Sequence, residues 1–273
     1  MAEIQNDTAG GTHGRPGGGF DGPRFDGDGL RRLISGRTRD GAFDVKATFS
    51  QTGGALRTLI GSTHRHPIAL NRDPQCAYGN PTEGVTERDL SRYFTAHPDV
   101  GEHLTQPMKL ESTRSGRRMI WFPDYWAQFR DGTLEIGEVK IDQTQMDDEY
   151  IEKMTRMREH VEALGCRYRL RYRRDILGGV DRQHNVGMLH FDRDADFEDH
   201  HLDRLTLLRG LSDLRFGDVK AVLDPDSDYR ASAIARRFVC MGLVWVDIDR
   251  LITDDSPVVV RGRTVSMTLS RLM

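Results

Sequence analysis

Long apolar segments are absent from this 273-residue sequence. A transmembrane helix needs about 20 consecutive apolar residues, and the chain has neither such a run nor the apolar core of a secretory signal. We therefore expect a cytoplasmic protein without membrane association. Cysteine is also scarce, because Cys76, Cys166 and Cys240 stand far apart in the sequence. Three isolated cysteines predict reduced thiols and do not have the paired spacing of a zinc site.

Net positive charge is missing as well. The 39 Lys and Arg residues are outnumbered by 42 Asp and Glu residues, which leaves a formal net charge of −3. A chain of this charge does not coat nucleic acid, so any DNA contact must be local or completed by a partner. Lysine is rare, with five among the 39 basic residues. A lysine inside a motif is therefore more informative here than in a lysine-rich protein.

Large apolar side chains are nearly absent from the beginning of the chain. Residues 1–29 contain nine glycines and cannot bury enough surface to fold, so we expect a disordered tail over residues 1–44. The length of the chain suits one large or two modest domains. A polar stretch at 181–185 indicates a linker, and we predict one domain over 45–175 and a second over 176–273.

Among the residues that are present, the most informative are Pro123-Asp124 and, fourteen residues after the aspartate, Glu138-Val139-Lys140. Two carboxylates can hold Mg²⁺, with Mn²⁺ as an alternative, and such an ion can activate water and stabilise charge on a phosphate. Lysine would add positive charge beside the attacked phosphate. The pattern is typical of a metal-dependent phosphodiesterase. An Asp-Gly hairpin flanked by functionally unrelated acidic residues would produce the same sequence pattern.

The parity of the two flanking strands tests whether these carboxylates meet. Residues 124–129 are aromatic-rich and residues 134–140 alternate with period two, so both segments are predicted to be strands. A two-residue loop would turn Asp124 to the face opposite Glu138. A three-residue loop with Gly132 in a left-handed bulge would instead pair Asp124 with Glu138. The proposed site therefore requires the bulged hairpin.

A third acidic residue lies upstream, in a predicted helix. Thr86 is the predicted N-cap, and Leu90 and Phe94 continue an apolar stripe. Glu87 lies on this stripe, so it either favours the helix start through the macrodipole or completes the metal site. Asp89 lies off the stripe and is the better candidate for capping alone.

Five segments in this order resemble the TnsA-type endonuclease subunit of heteromeric transposases: Thr86–Leu90, His97–Val100, Gln106-Pro107, Phe122–Tyr125 and Glu138–Lys140. That family belongs to the restriction-endonuclease-like, PD-(D/E)xK superfamily. The resemblance covers about residues 62–175 and extends more loosely over the remainder. It implies a catalytic set of Glu87, Asp124, Glu138 and Lys140, in which Glu87, Asp124 and Glu138 bind the metal.

The resemblance also implies an activity and partners. The expected reaction is Mg²⁺-dependent hydrolysis of DNA at the 5′ ends of a mobile element. A separate DDE-type transposase would cut and join the 3′ ends, and an ATPase regulator is a further expected partner. Two alternatives remain: a free-standing restriction or repair nuclease of the same fold, and a non-catalytic assembly subunit that binds DNA or a partner.

The rest of the first domain fits an α/β fold. A stripe of Met and other apolar residues predicts a helix over 144–164 ended by Gly165, and a strand follows at 166–172. Helix, three strands, helix and strand is the αβββαβ order of the resembled superfamily. The arginine face of that strand either binds phosphates or is a solvated surface; its residues are Arg167, Arg169 and Arg171.

The last hundred residues predict a mainly helical module. Apolar spacing and turn residues indicate helices over 197–211 and 216–223, a third from a Ser227 or Asp228 cap to Gly242, a strand over 243–248 and a hairpin over 258–265. Helices followed by a hairpin with a basic tip at 261–263 suggest a winged-helix-like domain, which can bind a partner protein or DNA. Arg236 and Arg237 on the third helix, together with Arg230, are candidate DNA contacts or a solubilising surface.

Overall fold

The computed structural model describes residues 44–49, 55–56, 68–71, 79–114 and 117–262. The protein is of mixed α/β class, as predicted, with seven helices and several sheets in the described ranges. None of these helices is long and apolar enough to cross a membrane. The predicted N-terminal tail, residues 1–44, lies almost wholly outside the described residues.

The elements of the described ranges follow one another along the chain. The strands are β1 (Asp44–Phe49), β2 (Ile68–Asn71), β3 (Asn80–Glu83), β4 (Val100–Thr105), β5 (Met108–Arg114), β6 (Arg117–Trp121), β7 (Tyr125–Phe129), β8 (Leu134–Lys140), β9 (Arg167–Tyr172), β10 (Val244–Val246) and β11 (Val258–Val260). The helices are α1 (Val85–Ala96), α2 (Asp148–Ala163), α3 (Arg173–Leu177), α4 (Val180–Asp192), α5 (Asp199–Leu207), α6 (Phe216–Leu223) and α7 (Asp228–Cys240), and a 3₁₀ turn spans Gln143–Gln145.

A four-stranded sheet in the order β4-β7-β8-β9 forms the centre of the first half. β7 is antiparallel to β4 and β8, whereas β8 and β9 are parallel. Parallel neighbours need a crossover connection, and α2 supplies it. Since side chains alternate along a strand, the sheet has two apolar faces: α1 packs on one through Leu90 and Phe94, and α2 on the other through Met154 and Met157.

Helix α2 follows the predicted Met stripe but begins later than expected. The predicted start at residue 144 is wrong, because the segment 143–145 forms a 3₁₀ turn and the side chain of Asp147 then caps the helix by accepting the Tyr150 N–H at 2.8 Å. The predicted end is confirmed, since Gly165 has φ of +83° just past the last turn.

A second sheet has the order β1-β5-β6, and its strands β5 and β6 are inserted in the chain between β4 and β7. Its strands pair antiparallel, and β6 ends at Trp121 only a few residues before Asp124. The Trp121 ring is buried in the same core as Trp126 and Ile136 of the main sheet. The insertion therefore brings an aromatic side chain to the place where β7 begins.

The start of α1 differs from the prediction. Thr86 lies inside the helix, and the N-cap is Gly84, with φ of +96° and no side chain to form a capping bond. Glycine adopts this conformation without steric cost, so the chain turns into the helix two residues earlier than the Thr86 signal indicated. Asp89 does not cap the helix either; it forms an ion pair with Arg173 at 3.1 Å.

The predicted linker at residues 181–185 is wrong, because these residues form the first turns of α4. The polar composition of this segment suggested a linker. Asn185, however, is buried, and its side-chain amide is hydrogen-bonded to the main chain. Its Nδ2 donates to the carbonyl oxygens of Ile248 at 2.9 Å and Arg250 at 2.7 Å. A polar residue with such partners is a packing element and not a sign of a flexible segment.

Helices α5, α6 and α7 and the β10–β11 pair form the second half, around a core that includes Phe238, Val244 and Val258. The prediction for α6 is confirmed at both ends, and Ser227 caps α7 as predicted. β11 pairs antiparallel with β10, and the second strand of the hairpin predicted over 258–265 lies outside the described residues. Arg261, expected at an exposed tip, instead forms an ion pair with Asp99 at 2.7 Å.

Candidate active site

The hairpin between β7 and β8 has the predicted three-residue loop. Tyr125 pairs with Gly137 and Gln128 with Leu134, a register that extends to Asp124 opposite Glu138. Residues 130–132 form the loop, and Gly132 has φ of +86°, the left-handed conformation that the bulge requires. The parity argument is therefore confirmed, and both carboxylates lie at the same end of the sheet and on the same face.

Asp124 is held by main-chain hydrogen bonds just before β7. Its Oδ2 accepts the N–H of Val139 at 2.8 Å, and its own N–H donates to the carbonyl oxygen of Gly137 at 3.1 Å. On the other side, the N–H of Gln106 donates to the Asp124 carbonyl oxygen at 2.8 Å. Gln106 has φ of +46°, an uncommon conformation for a residue with a Cβ. These bonds fix the backbone that carries the carboxylate.

Glu138 is a buried carboxyl group with partners from two other elements. The indole N–H of Trp121 donates to Oε1, and the hydroxyl of Tyr150 on α2 donates to Oε2 at 3.4 Å. Burial first, and then the charge of Asp124, raise the pKa of Glu138 to about 8. Two carboxylates this close disfavour double ionisation, and the charge of Lys140 offsets this effect only in part.

Lys140 lies two residues beyond Glu138 on the same face of β8. Its Nζ is 3.7 Å from Glu138 Oε2 and 4.9 Å from the centre of the Tyr150 ring. The side chain is only 23% exposed, which keeps the ammonium beside the carboxylates and out of bulk solvent. The end of the sheet thereby presents two carboxyl groups with an ammonium group beside them.

Glu87 is placed differently from the other three predicted site residues. It lies in the first turn of α1, where its Oε2 accepts the main-chain N–H of Glu83 at 2.9 Å. This bond supports the interpretation of Glu87 as a residue of the helix start. The helix itself packs on the sheet face of Tyr125 and Val139, opposite to the face of Glu138.

The donor set determines how well a Mg²⁺ ion fits. Within the described ranges, no group of three or more His, Cys, Asp and Glu residues is arranged to hold a metal ion. Mg²⁺ nevertheless often binds through one or two carboxylates and retains several waters. The facing carboxyl groups of Asp124 and Glu138 fit that requirement.

The predicted phosphate-binding face on β9 is only partly available. Arg167 and Arg169 are exposed, as a phosphate contact would need. Arg171 has another role: its Nη2 lies 2.6 Å from Oε1 of Glu135, a buried carboxylate on β8. The Nε of Arg171 also donates a hydrogen bond to the Tyr125 hydroxyl at 3.1 Å. Arg171 on β9 therefore connects β8 and β7 within the sheet.

The two arginines predicted to contact DNA on α7 also have protein partners. Arg236 forms an ion pair with Asp192 of α4 at 2.8 Å. Arg237 donates to the carbonyl oxygen of Ala195 at 2.7 Å and lies 4.6 Å from the centre of the Phe197 ring. Arg230, the third basic residue of this helix, pairs with Glu198 at 3.1 Å. The three arginines of α7 therefore form contacts within the protein.

Sequence reasoning missed Trp121 and Tyr150 as functional candidates. Tyr150 belongs to the apolar stripe that predicts α2, and its hydroxyl, a polar atom within that stripe, is the signal that it meets a polar group of the sheet. Trp121 stands just before the Phe-Pro-Asp segment, but only the inserted sheet brings its ring over β8.

The sequence comparisons do not place this chain in a family. No family model matches it, and no curated protein matches it.

Proposed function

We propose that the protein is a Mg²⁺-dependent DNA endonuclease, the subunit of a heteromeric transposase that cuts the 5′ ends of a mobile element. The observation that carries the proposal is the constellation of Asp124, Glu138 and Lys140. The acids face each other across a hairpin, and the lysine Nζ lies 3.7 Å from the second acid. This arrangement is what hydrolysis of a phosphodiester requires, namely metal-binding oxygens with a fixed cation beside them.

The topology of the first half supports the same proposal. Helix α1, the antiparallel strands β4, β7 and β8, helix α2 and the parallel strand β9 follow the αβββαβ order of restriction-endonuclease-like cores. Strands β5 and β6 would then be an insertion between the first and second core strands. We propose likewise that the three helices and the small sheet of the second half form a winged-helix-like module.

Each residue has a role in the proposed reaction. Asp124 and Glu138 would hold Mg²⁺, or Mn²⁺ in its place, and this ion would supply an activated water and charge stabilisation when bound. Lys140 would neutralise charge that develops on the phosphate and would orient the water. Glu87 would act indirectly, by fixing the start of α1 beside β3.

A partner is part of the proposal because the chain offers few cations to DNA. The net charge is −3, and the candidate arginines on α7, together with Arg171, are engaged within the protein. Few phosphates can then be neutralised at once by this chain alone. A DDE-type transposase that binds the element ends, and an ATPase that regulates both proteins, would supply the targeting.

The test is nicking of supercoiled plasmid DNA that carries the element ends. The purified chain is assayed with Mg²⁺, alone and together with the candidate partner transposase. We expect Asp124→Ala and Glu138→Ala to reduce cleavage to the level without metal, and Lys140→Ala to be nearly as severe, because its charge is used in the transition state.

Glu152→Ala is the matched control, since Glu152 is an exposed acid on α2 that forms only a surface ion pair with Arg156. Its cleavage should equal that of the wild type. If any of the three site variants cleaves like the wild type with Mg²⁺, the proposed site is wrong.

A second candidate function is supported by a different observation. The described ranges hold no three-residue metal cluster, and the carboxylate of Glu87 accepts the main-chain N–H of Glu83 at the end of β3. Both facts suit a non-catalytic assembly subunit that retains the fold. Calorimetric titration with Mn²⁺ separates the two, because a subunit of that kind would bind no metal at Asp124 and Glu138.

A further inference from the structure

Tyr150 contacts both charged residues on β8 of the candidate site. Its hydroxyl donates to Glu138 Oε2 at 3.4 Å, and the centre of its ring lies 4.9 Å from Lys140 Nζ. The hydroxyl of Tyr150 therefore contacts Glu138, and the face of its ring contacts Lys140. Tyr150 projects from the first turns of α2, whose N-terminus is anchored by the Asp147 cap at 2.8 Å.

The two contacts restrict groups that would otherwise be mobile. Glu138 has two oxygens, and Trp121 already binds Oε1, so the Tyr150 hydroxyl completes the orientation of the carboxylate through Oε2. Lys140 carries its charge on a flexible four-carbon chain, and attraction to an aromatic face limits where that charge can lie.

We propose that Tyr150 is a positioning residue of this site, which orients Glu138 through its hydroxyl and Lys140 through its ring. The inference rests on the proposed function for its catalytic consequence. The two parts of the Tyr150 side chain have separable effects. The hydroxyl governs metal binding by orienting the Glu138 carboxylate, and the ring governs turnover by positioning the Lys140 ammonium.

Two substitutions separate these effects. Tyr150→Phe keeps the ring and removes the hydroxyl, so the Mg²⁺ concentration for half-maximal nicking should rise about tenfold with kcat largely retained. Tyr150→Leu removes both, so kcat should fall a further 2- to 30-fold, roughly the strength of a cation–π contact. Mn²⁺ affinity measured by calorimetry without DNA should weaken to the same extent in both variants.

Tyr168→Phe is the matched control. This buried tyrosine on β9 also loses a hydroxyl on the α2 side of the sheet, but that hydroxyl donates to Met154 Sδ at 2.8 Å. We expect its metal requirement to equal that of the wild type. If Tyr150→Phe and Tyr168→Phe have the same metal requirement, the orienting role of the hydroxyl is refuted.

The reactivity of Lys140 tests the ring without any nuclease assay. The chain has only five lysines, so acetylation by acetic anhydride can be followed by mass spectrometry at each of them. Tyr150→Leu should acetylate several-fold faster at Lys140, with the other lysines unchanged, and Tyr150→Phe should match the wild type. Equal rates at Lys140 in all three proteins would overturn the inference, whereas absence of nicking by the wild type would overturn the proposed function alone.

Discussion

Glu138 combines two environments that conflict for a carboxylate. It is buried beneath Trp121 and Tyr150, and it faces the negative charge of Asp124. Burial and a like charge both favour the neutral acid, whereas a bound divalent cation would favour the ionised form. The protonation state of Glu138 therefore depends on whether a cation balances the charge of Asp124 and Glu138. It can be measured through the pH dependence of the free energy of unfolding.

We predict that metal-free protein loses stability through Glu138 as the pH rises. The pKa of Glu138 is about 8 in the folded state and about 4.5 in the unfolded chain, so folding favours its protonated form. That contribution is fully present below pH 4.5 and is lost as the pH rises through 8, and the total loss is about 3–5 kcal/mol. In EDTA, Glu138→Gln should be more stable than the wild type at pH 8.5 and similar to it at pH 4.5.

Urea unfolding at several pH values measures this difference, and Glu152→Gln is the exposed control. Adding Mg²⁺ at pH 8.5 should restore the wild type and leave Glu138→Gln unchanged, because only the wild type has both carboxylates. A stability difference that does not vary with pH would contradict the raised pKa.

At the scale of elements, β7, β8 and β9 are joined on the α1 side of the sheet by a buried polar group. The Tyr125 hydroxyl donates to Glu135 Oε1 at 2.9 Å, and Arg171 donates to the same oxygen. Gly137 lies between these side chains, and a Cβ there would collide with the Tyr125 hydroxyl and the Arg169 carbonyl oxygen. The strands that carry the site are thus held in a single register, which the hairpin loop must match.

We predict that Gly132→Val reduces activity much more than stability. Gly132 has φ of +86°, which strains a β-branched residue, so the substitution should cost about 1–3 kcal/mol. A strained loop can also slip by one residue and turn a carboxylate to the opposite face. Plasmid nicking and urea unfolding measure the two effects.

Gly132→Asn is the matched variant, because asparagine tolerates the left-handed conformation better than other residues with a Cβ. It should retain most of the activity and stability. Wild-type nicking by Gly132→Val would show that the bulge does not position the carboxylates.

At the scale of the whole molecule, the two halves are connected through the loop between α1 and β4. Asp99 accepts hydrogen bonds from Arg261 at 2.7 Å and from the Trp245 indole at 3.2 Å. Arg130, in the hairpin loop of the site, donates to the carbonyl oxygens of Pro98 and Met241. Burial would raise the pKa of Asp99, but Arg261 and His97 outweigh it and hold this pKa below its ordinary value.

We predict that Asp99→Ala uncouples the halves. It leaves the partly buried Arg261 without its carboxylate and the indole without its acceptor, which should cost about 2–3 kcal/mol. Urea unfolding followed by both tryptophan fluorescence and circular dichroism should change from coincident to separated transitions.

Glu152→Ala again supplies the control, since loss of an exposed ion pair on one helix should change stability by less than about 0.5 kcal/mol. Coincident transitions and unchanged stability in Asp99→Ala would show that these contacts do not couple the two halves.

Features that depend on neighbouring residues were predictable from the amino-acid sequence. Period-two alternation and a glycine with left-handed geometry gave the hairpin register, so the pairing of Asp124 with Glu138 was predictable. Helical spacing gave α2 and α6, and Ser227 gave the start of α7. These signals are local, because capping, turn geometry and periodicity act over a few residues.

Which polar side chains remain exposed, and which of them contact one another, depends on packing in three dimensions. Arg171, Arg236 and Arg261 looked like candidate nucleic-acid contacts, but their carboxylate partners lie at least 36 residues away in the chain. Trp121 and Tyr150 reach Glu138 from an inserted sheet and from the far helix. Such contacts follow from how strands and helices are ordered in space, and a buried charge selects its partner only after packing has removed the surrounding water.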